Sequence, residues 1–79
     1  MKVLWTKPAA EAYRSLPAPI RQEIRYRVEV LSEFPEMYPI RTHQPYAGFR
    51  YFFTTDWCVS YTVTENNVII LAVFHARRG

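Results

Sequence analysis

The chain has 79 residues, 49% of them hydrophobic and 16% aromatic, with a net charge of +3. It is too short for a second domain and too apolar for disorder, so it should form one domain around one tight core. No apolar run approaches the roughly 18 residues of a membrane helix, no signal-peptide pattern precedes Thr6-Lys7, and Cys58, the lone cysteine, excludes an internal disulfide and a cysteine-built metal cluster. The expectation is a cytoplasmic protein without cofactor, metal or membrane partner.

Val3-Leu4-Trp5 reads as a short opening strand. Thr6 can cap a helix and Pro8 suits its first turn. That helix should run to about Ser15, with Ala9, Ala12, Tyr13 and Leu16 facing inward, until Leu16-Pro17-Ala18-Pro19 breaks it. A second helix is expected over Pro19–Glu33, where Ile20, Ile24, Val28 and Leu31 form one apolar stripe. Its arginines read as a solvated face, with Glu23–Arg27 and Arg25–Glu29 spaced to pair.

Phe34 to Ala47 is a proline-rich loop that carries Arg41, His43, Gln44 and Tyr46. Three strands follow: Phe49–Phe53, Trp57–Thr64 and Val68–Phe74, joined by Thr54-Thr55-Asp56 and by Asn66-Asn67. The order is strand, two helices, three-stranded antiparallel meander. That is an α+β domain over 1–79 with both helices on one face of the sheet. The first strand's edge is not fixed by the pattern.

Side chains alternate along a strand, so loop length decides which of them share a face. A three-residue loop at 54–56 pairs Phe53 with Trp57. A two-residue loop at 66–67 pairs Glu65 with Val68. Those registers put Phe49, Tyr51, Phe53, Trp57, Val59, Tyr61, Val63, Ile70, Ala72 and Phe74 under the helices. Arg50, Phe52, Cys58, Ser60, Thr62, Leu71, Val73 and His75 are left on the open face. Phe52, Leu71 and Val73 would be wasted on a bare surface and read as a partner-binding strip. Arg50 and His75 converge there, with Arg77 in the same parity. Eight of the ten basic residues are arginines, whose planar fork suits phosphate and carboxylate.

Val3-x-Trp5-Thr6-x-x-Ala9, Leu16-Pro17, Leu31-x-x-Phe34-Pro35, Gly48-x-Arg50, Val59-x-Tyr61-x-Val63 and Ile70-x-x-Val73-x-His75-x-Arg77-Arg78 follow one another in this order. Together they resemble the RelE/ParE superfamily of type II toxins over essentially the whole chain. The resemblance implies a RelE-like fold, a cognate antitoxin as partner, and one of two activities. RelE-like members cleave mRNA in the ribosomal A site, whereas ParE-like members inhibit DNA gyrase without nuclease activity.

The cationic open face favours the first activity, a metal-independent endoribonuclease that inhibits translation with ribosome and mRNA as partners. Gyrase inhibition, or a catalytically silent member acting only through complex formation, are the alternatives. On the nuclease reading the resemblance assigns catalysis to Arg50, His75 and Arg77. Arg50 would hold the scissile phosphate, and His75 would serve as acid or base. Arg41, His43, Tyr46 and Arg78 would contact RNA phosphates. Such nucleases often carry lysines before the Arg50 strand and a tyrosine in a C-terminal extension. Lysine stands here only at positions 2 and 7, and no tyrosine follows His75, so on this reading the resemblance leaves the general base unassigned beyond His75 as acid or base.

Overall fold

The computed structural model describes residues 1–77. The chain runs β1 (Lys2–Trp5), α1 (Lys7–Arg14), α2 (Ala18–Glu33), β2 (Arg50–Thr54), β3 (Trp57–Val63) and β4 (Asn67–His75). The expected elements are all present. The four strands make one sheet in the order β1-β4-β3-β2. β1 lies parallel to β4, and the other pairs are antiparallel, so the sheet is mixed. The two helices form the crossover from β1 to β2 at the opposite edge, and the meander then returns to place β4 beside β1.

α1 starts where Thr6 accepts a hydrogen bond from the Ala9 amide, 3.2 Å, with proline in its first turn. Ala9, Leu16, Ile24, Val28 and Leu31 are buried against Phe52, Val59, Tyr61, Val68, Ile70 and Val73. The apolar stripe of α2 is thus the core side. Of the two spaced pairs on α2, only Glu23–Arg27 closes, at 3.5 Å, and it is the only ion pair among the described residues. Arg27 is half-buried rather than solvated: its guanidinium lies 4.7 Å from the Phe52 ring centre and 5.3 Å from that of Tyr38. It also donates to the Phe53 carbonyl and, at 3.1 Å, to the Tyr38 hydroxyl.

The strand registers differ from the expected ones, and the differences decide the faces. The β2–β3 loop has two residues, not three, because Thr54 pairs with Trp57. A one-residue change swaps every side chain of β2 to the other face. Phe52 is therefore core, 3% exposed, and Phe53 stands outside at 43%. The β3–β4 turn pairs Val63 with Val68. That is a two-residue shift, which keeps the parity.

A bulge then intervenes: Tyr61 faces Ile70, but Ser60 faces Ala72. Leu71 is the extra residue, and from there β4 is reversed. Val73 joins the core at 7% exposure. His75 falls opposite Trp57. The partner strip expected from Phe52, Leu71 and Val73 does not exist as such. Two of its members are in the core, and Leu71 is half-buried at the bulge.

No helix among the described residues is long and apolar enough to cross a membrane.

Candidate functional site

Arg50 and His75 do share a face of the sheet, but it is the helix-covered one, and they stand at opposite ends of it. Arg50 sits in the row of Tyr61 and Ile70, and His75 in the row of Trp57 and Thr54. Four residues along β3 and two strands across separate the backbones by roughly 16 Å. Arg50 donates to the Tyr38 carbonyl at 2.7 Å and to that of Glu36 at 3.4 Å. Its guanidinium thereby fastens the segment that leaves α2. His75 meets Trp57 edge to face, ring centres 5.2 Å apart. Its Nδ1 accepts from the Arg77 amide at 3.2 Å, which leaves Nε2 as the protonated nitrogen of the neutral ring. Arg77 is exposed, and Arg78 lies outside the described residues.

The open face carries a different constellation. Tyr51 and Phe53 come from β2, Cys58, Ser60 and Thr62 from β3, and Ala72 and Phe74 from β4. The 39–49 loop folds onto this face through Arg41. Its guanidinium lies between two rings, 5.6 Å from the centre of Tyr51 and 5.9 Å from that of Phe74. It donates to the His43 carbonyl at 3.1 Å and approaches the Cys58 sulfur at 3.8 Å. Tyr46 stacks on Phe74 with ring centres 5.6 Å apart.

The base of the loop is tied where Arg41 donates to Phe49 and Gly48 donates to Arg41, both at 2.8 Å. Gly48 has φ +91 with open space around a would-be Cβ. Glycine is needed there for backbone sign, not for room.

Burial pushes the Cys58 thiol up from its ordinary value, opposed in part by the Arg41 charge, so it is a protonated core thiol. The neighbouring Ser60 hydroxyl is buried with no partner among the described residues. Of the residues expected to contact phosphate, Arg41 and Tyr46 are thus brought together. His43 is exposed and lends only its carbonyl. Tyr51 and Phe74, which complete the cluster, were expected under the helices. No composition signal marks the bulge and the short turn that move them. Among the described residues, no three His, Cys, Asp or Glu side chains gather.

The model of the ParE toxin of type II toxin–antitoxin systems matches residues 3–79. The chain belongs to the ParE toxin family. Its fold is that of RelE toxins in solved toxin–antitoxin complexes. The RelE chain of the intact Escherichia coli RelBE complex is 16% identical, with a TM-score of 0.81 and 98% of each chain covered. The Mycobacterium tuberculosis RelBE2 complex gives 22% identity and a TM-score of 0.75 over 94% of this chain and 88% of that one. The Methanococcus jannaschii RelB–RelE complex gives 17% and 0.70 over 94% and 91%. No protein of curated function matches the chain. The family is thus of the superfamily that the sequence motifs resemble, and the two-helix, four-strand order is its fold.

Proposed function

We propose that this chain is the toxin of a type II pair, silenced by its cognate antitoxin, and that once free it acts by gripping a protein target, DNA gyrase. One observation carries the choice of target. Arg50 and His75, the groups that RNA cleavage would need side by side, sit in different rows of the helix-covered face. A base, an acid and a phosphate clamp must lie within hydrogen-bond reach of one substrate. Arg50 is instead engaged by carbonyls of its own chain. The ParE family match agrees with this reading. The antitoxin partner is supported by the structural relatives, which are toxin–antitoxin complexes.

The test is induced expression without antitoxin. Thymidine incorporation should fall first and the DNA-damage response should rise, with methionine incorporation initially unchanged. Purified chain should inhibit supercoiling by gyrase. Arg50→Ala should affect arrest only as far as it lowers the folded fraction.

A second reading, ribosome-dependent mRNA cleavage, draws on Arg41 held between Tyr51 and Phe74 beside Tyr46. A guanidinium among aromatic rings suits a single-stranded nucleic acid. Primer extension on cellular mRNA separates the two readings: discrete cuts within reading frames favour the second and defeat the first.

A further inference from the structure

The face of the sheet turned away from the helices is closed by a strap. The 39–49 loop is pinned at both ends. Tyr51 donates to the Pro39 carbonyl at 3.1 Å, and the Arg41 and Gly48 amides donate to the Phe49 and Arg41 carbonyls. What can lift is the tip, residues 42–47, with the Arg41 side chain joined to it through the His43 carbonyl. Two ring contacts hold that unit down: Arg41 between Tyr51 and Phe74, and Tyr46 on Phe74.

Closure has its costs. Tyr46 sits at φ +68, in the left-handed region that a residue with a Cβ avoids. Cys58 and Ser60 are fully buried, although no helix covers this face. Tyr51 flanks Ser60, Phe74 flanks Cys58, and the Arg41 guanidinium spans the two rings. The Ser60 hydroxyl has no partner there among the described residues, and a buried hydroxyl without one opposes the closed state. Beside the tip lies a groove of about 570 Å³, with Pro45 and Tyr46 on one side, Thr6 and Pro8 on the other, and Leu71 and Phe74 between them. No acidic side chain lines it, and the loop from 39 to 49 contains none. Arg41 has no carboxylate partner among the described residues.

We propose that this strap guards the surface that grips the protein target. An acidic segment of the target enters the groove with an apolar side chain, displaces Tyr46 from Phe74 and draws Arg41 off the rings onto a carboxylate. This rests on the gyrase reading and names the part of the chain that does the gripping. The carboxylate gives Arg41 a charge-assisted bond that the closed state lacks. That difference between the two states is what shifts the equilibrium toward the lifted strap. The Tyr51, Phe53 and Phe74 rings then form the contact surface, the kind of aromatic patch on which interfaces anchor.

Cys58 lies under the strap and is the lone cysteine, so it reports lifting in the free, full chain. Its thiolate attacks the disulfide of dithiodipyridine and releases thiopyridone. Arg41→Ala should speed this reaction by about tenfold, and Tyr46→Ala by about threefold or more, with thermal melts confirming that both fold. The acceleration should be the same in dilute urea, because a local opening exposes little surface. Unchanged rates in both variants, or rates that climb with urea as global unfolding does, overturn the strap. Binding is then measured with purified gyrase holoenzyme. Tyr46→Ala should tighten it by the factor found for its thiol rate. Phe53→Glu should weaken it by about tenfold or more, while Tyr26→Glu, exposed on α2, should leave it unchanged. Affinity that Phe53→Glu does not move overturns the docking surface. Single-stranded RNA that competes with gyrase for this face also overturns it, since the strap would then guard a nucleic-acid site. Wild-type chain that does not bind gyrase removes the gyrase reading and the docking surface with it, and the thiol rates still decide the strap.

Discussion

An arginine does most for a small domain when its flat face and its fork are used together. Arg27 and Arg41 both do this: Arg27 lies against the Tyr38 and Phe52 rings while it donates to Phe53 and Tyr38, and Arg41 lies between Tyr51 and Phe74 while it donates to His43. Arg41→Ala should free the 39–49 loop. The loss of one partly buried cation–π pair and its hydrogen bond should cost about 1–2 kcal/mol in urea melts. Proteolysis should then cut first within the loop. Arg41→Lys should not restore stability, because an ammonium cannot lie flat between two rings and donate sideways.

A second prediction concerns Tyr61, which is fully buried and donates to the Pro35 carbonyl at 2.9 Å. Burial pushes its phenol up to about 12, outweighing the nearby Arg50 charge. A folded-state pKa above the unfolded value of 10 means that the native state holds this proton more tightly. The resulting stability is complete below pH 10 and is lost as pH rises from there to about 12. The loss should be on the order of 2 kcal/mol. Denaturant midpoints measured between pH 9 and 11.5 should fall in the wild type and fall less in Tyr61→Phe.

At the scale of elements, the bulge in β4 is the feature on which the faces turn. An extra residue leaves ladder groups unpaired. Here the Leu71 carbonyl is taken by the Thr6 hydroxyl at 2.9 Å. The same oxygen caps α1, so one threonine serves a helix start and a strand defect. Thr6→Val should therefore lose both bonds and cost about 2 kcal/mol, while Thr6→Ser should cost little. Equilibrium unfolding of the two variants checks this.

The helices, their stripe and the three-stranded meander were legible because periodicity and caps are written locally in residues such as Thr6, Pro8, Ile24 and Pro35, whereas the edge that β1 takes was not. Nor was the face assignment. Val68 to Val73 is apolar throughout, so no alternation marks where β4 reverses. Thr54-Thr55-Asp56 fits a loop of either length. Two one-residue differences therefore moved Arg50, Phe52, Val73 and His75 together to the other face, and brought Tyr51 and Phe74 to Arg41. The observed register is testable by a neighbouring pair. Phe52→Ala should cost about 3–5 kcal/mol, while Phe53→Ala, on the exposed side, should cost less than about 1 kcal/mol. The expected register would have reversed that order.

For the molecule as a whole, size sets how much a partner matters. A domain of 79 residues buries a modest share of its surface, and its margin of stability is small. A partner that binds only the folded state adds RT ln(1 + [L]/Kd) to stability, about 2.7 kcal/mol at a hundred times Kd. For a chain of this length that corresponds to a rise in melting temperature of about 10–20 °C.

The antitoxin should produce this shift, and each further tenfold excess should add about 1.4 kcal/mol. The cost of ordering a flexible antitoxin segment enters Kd and not this slope. A melting series against antitoxin concentration therefore tests one-site binding to the native fold without knowing the segment's free structure. A plateau at high excess would mean that the antitoxin also holds the unfolded chain.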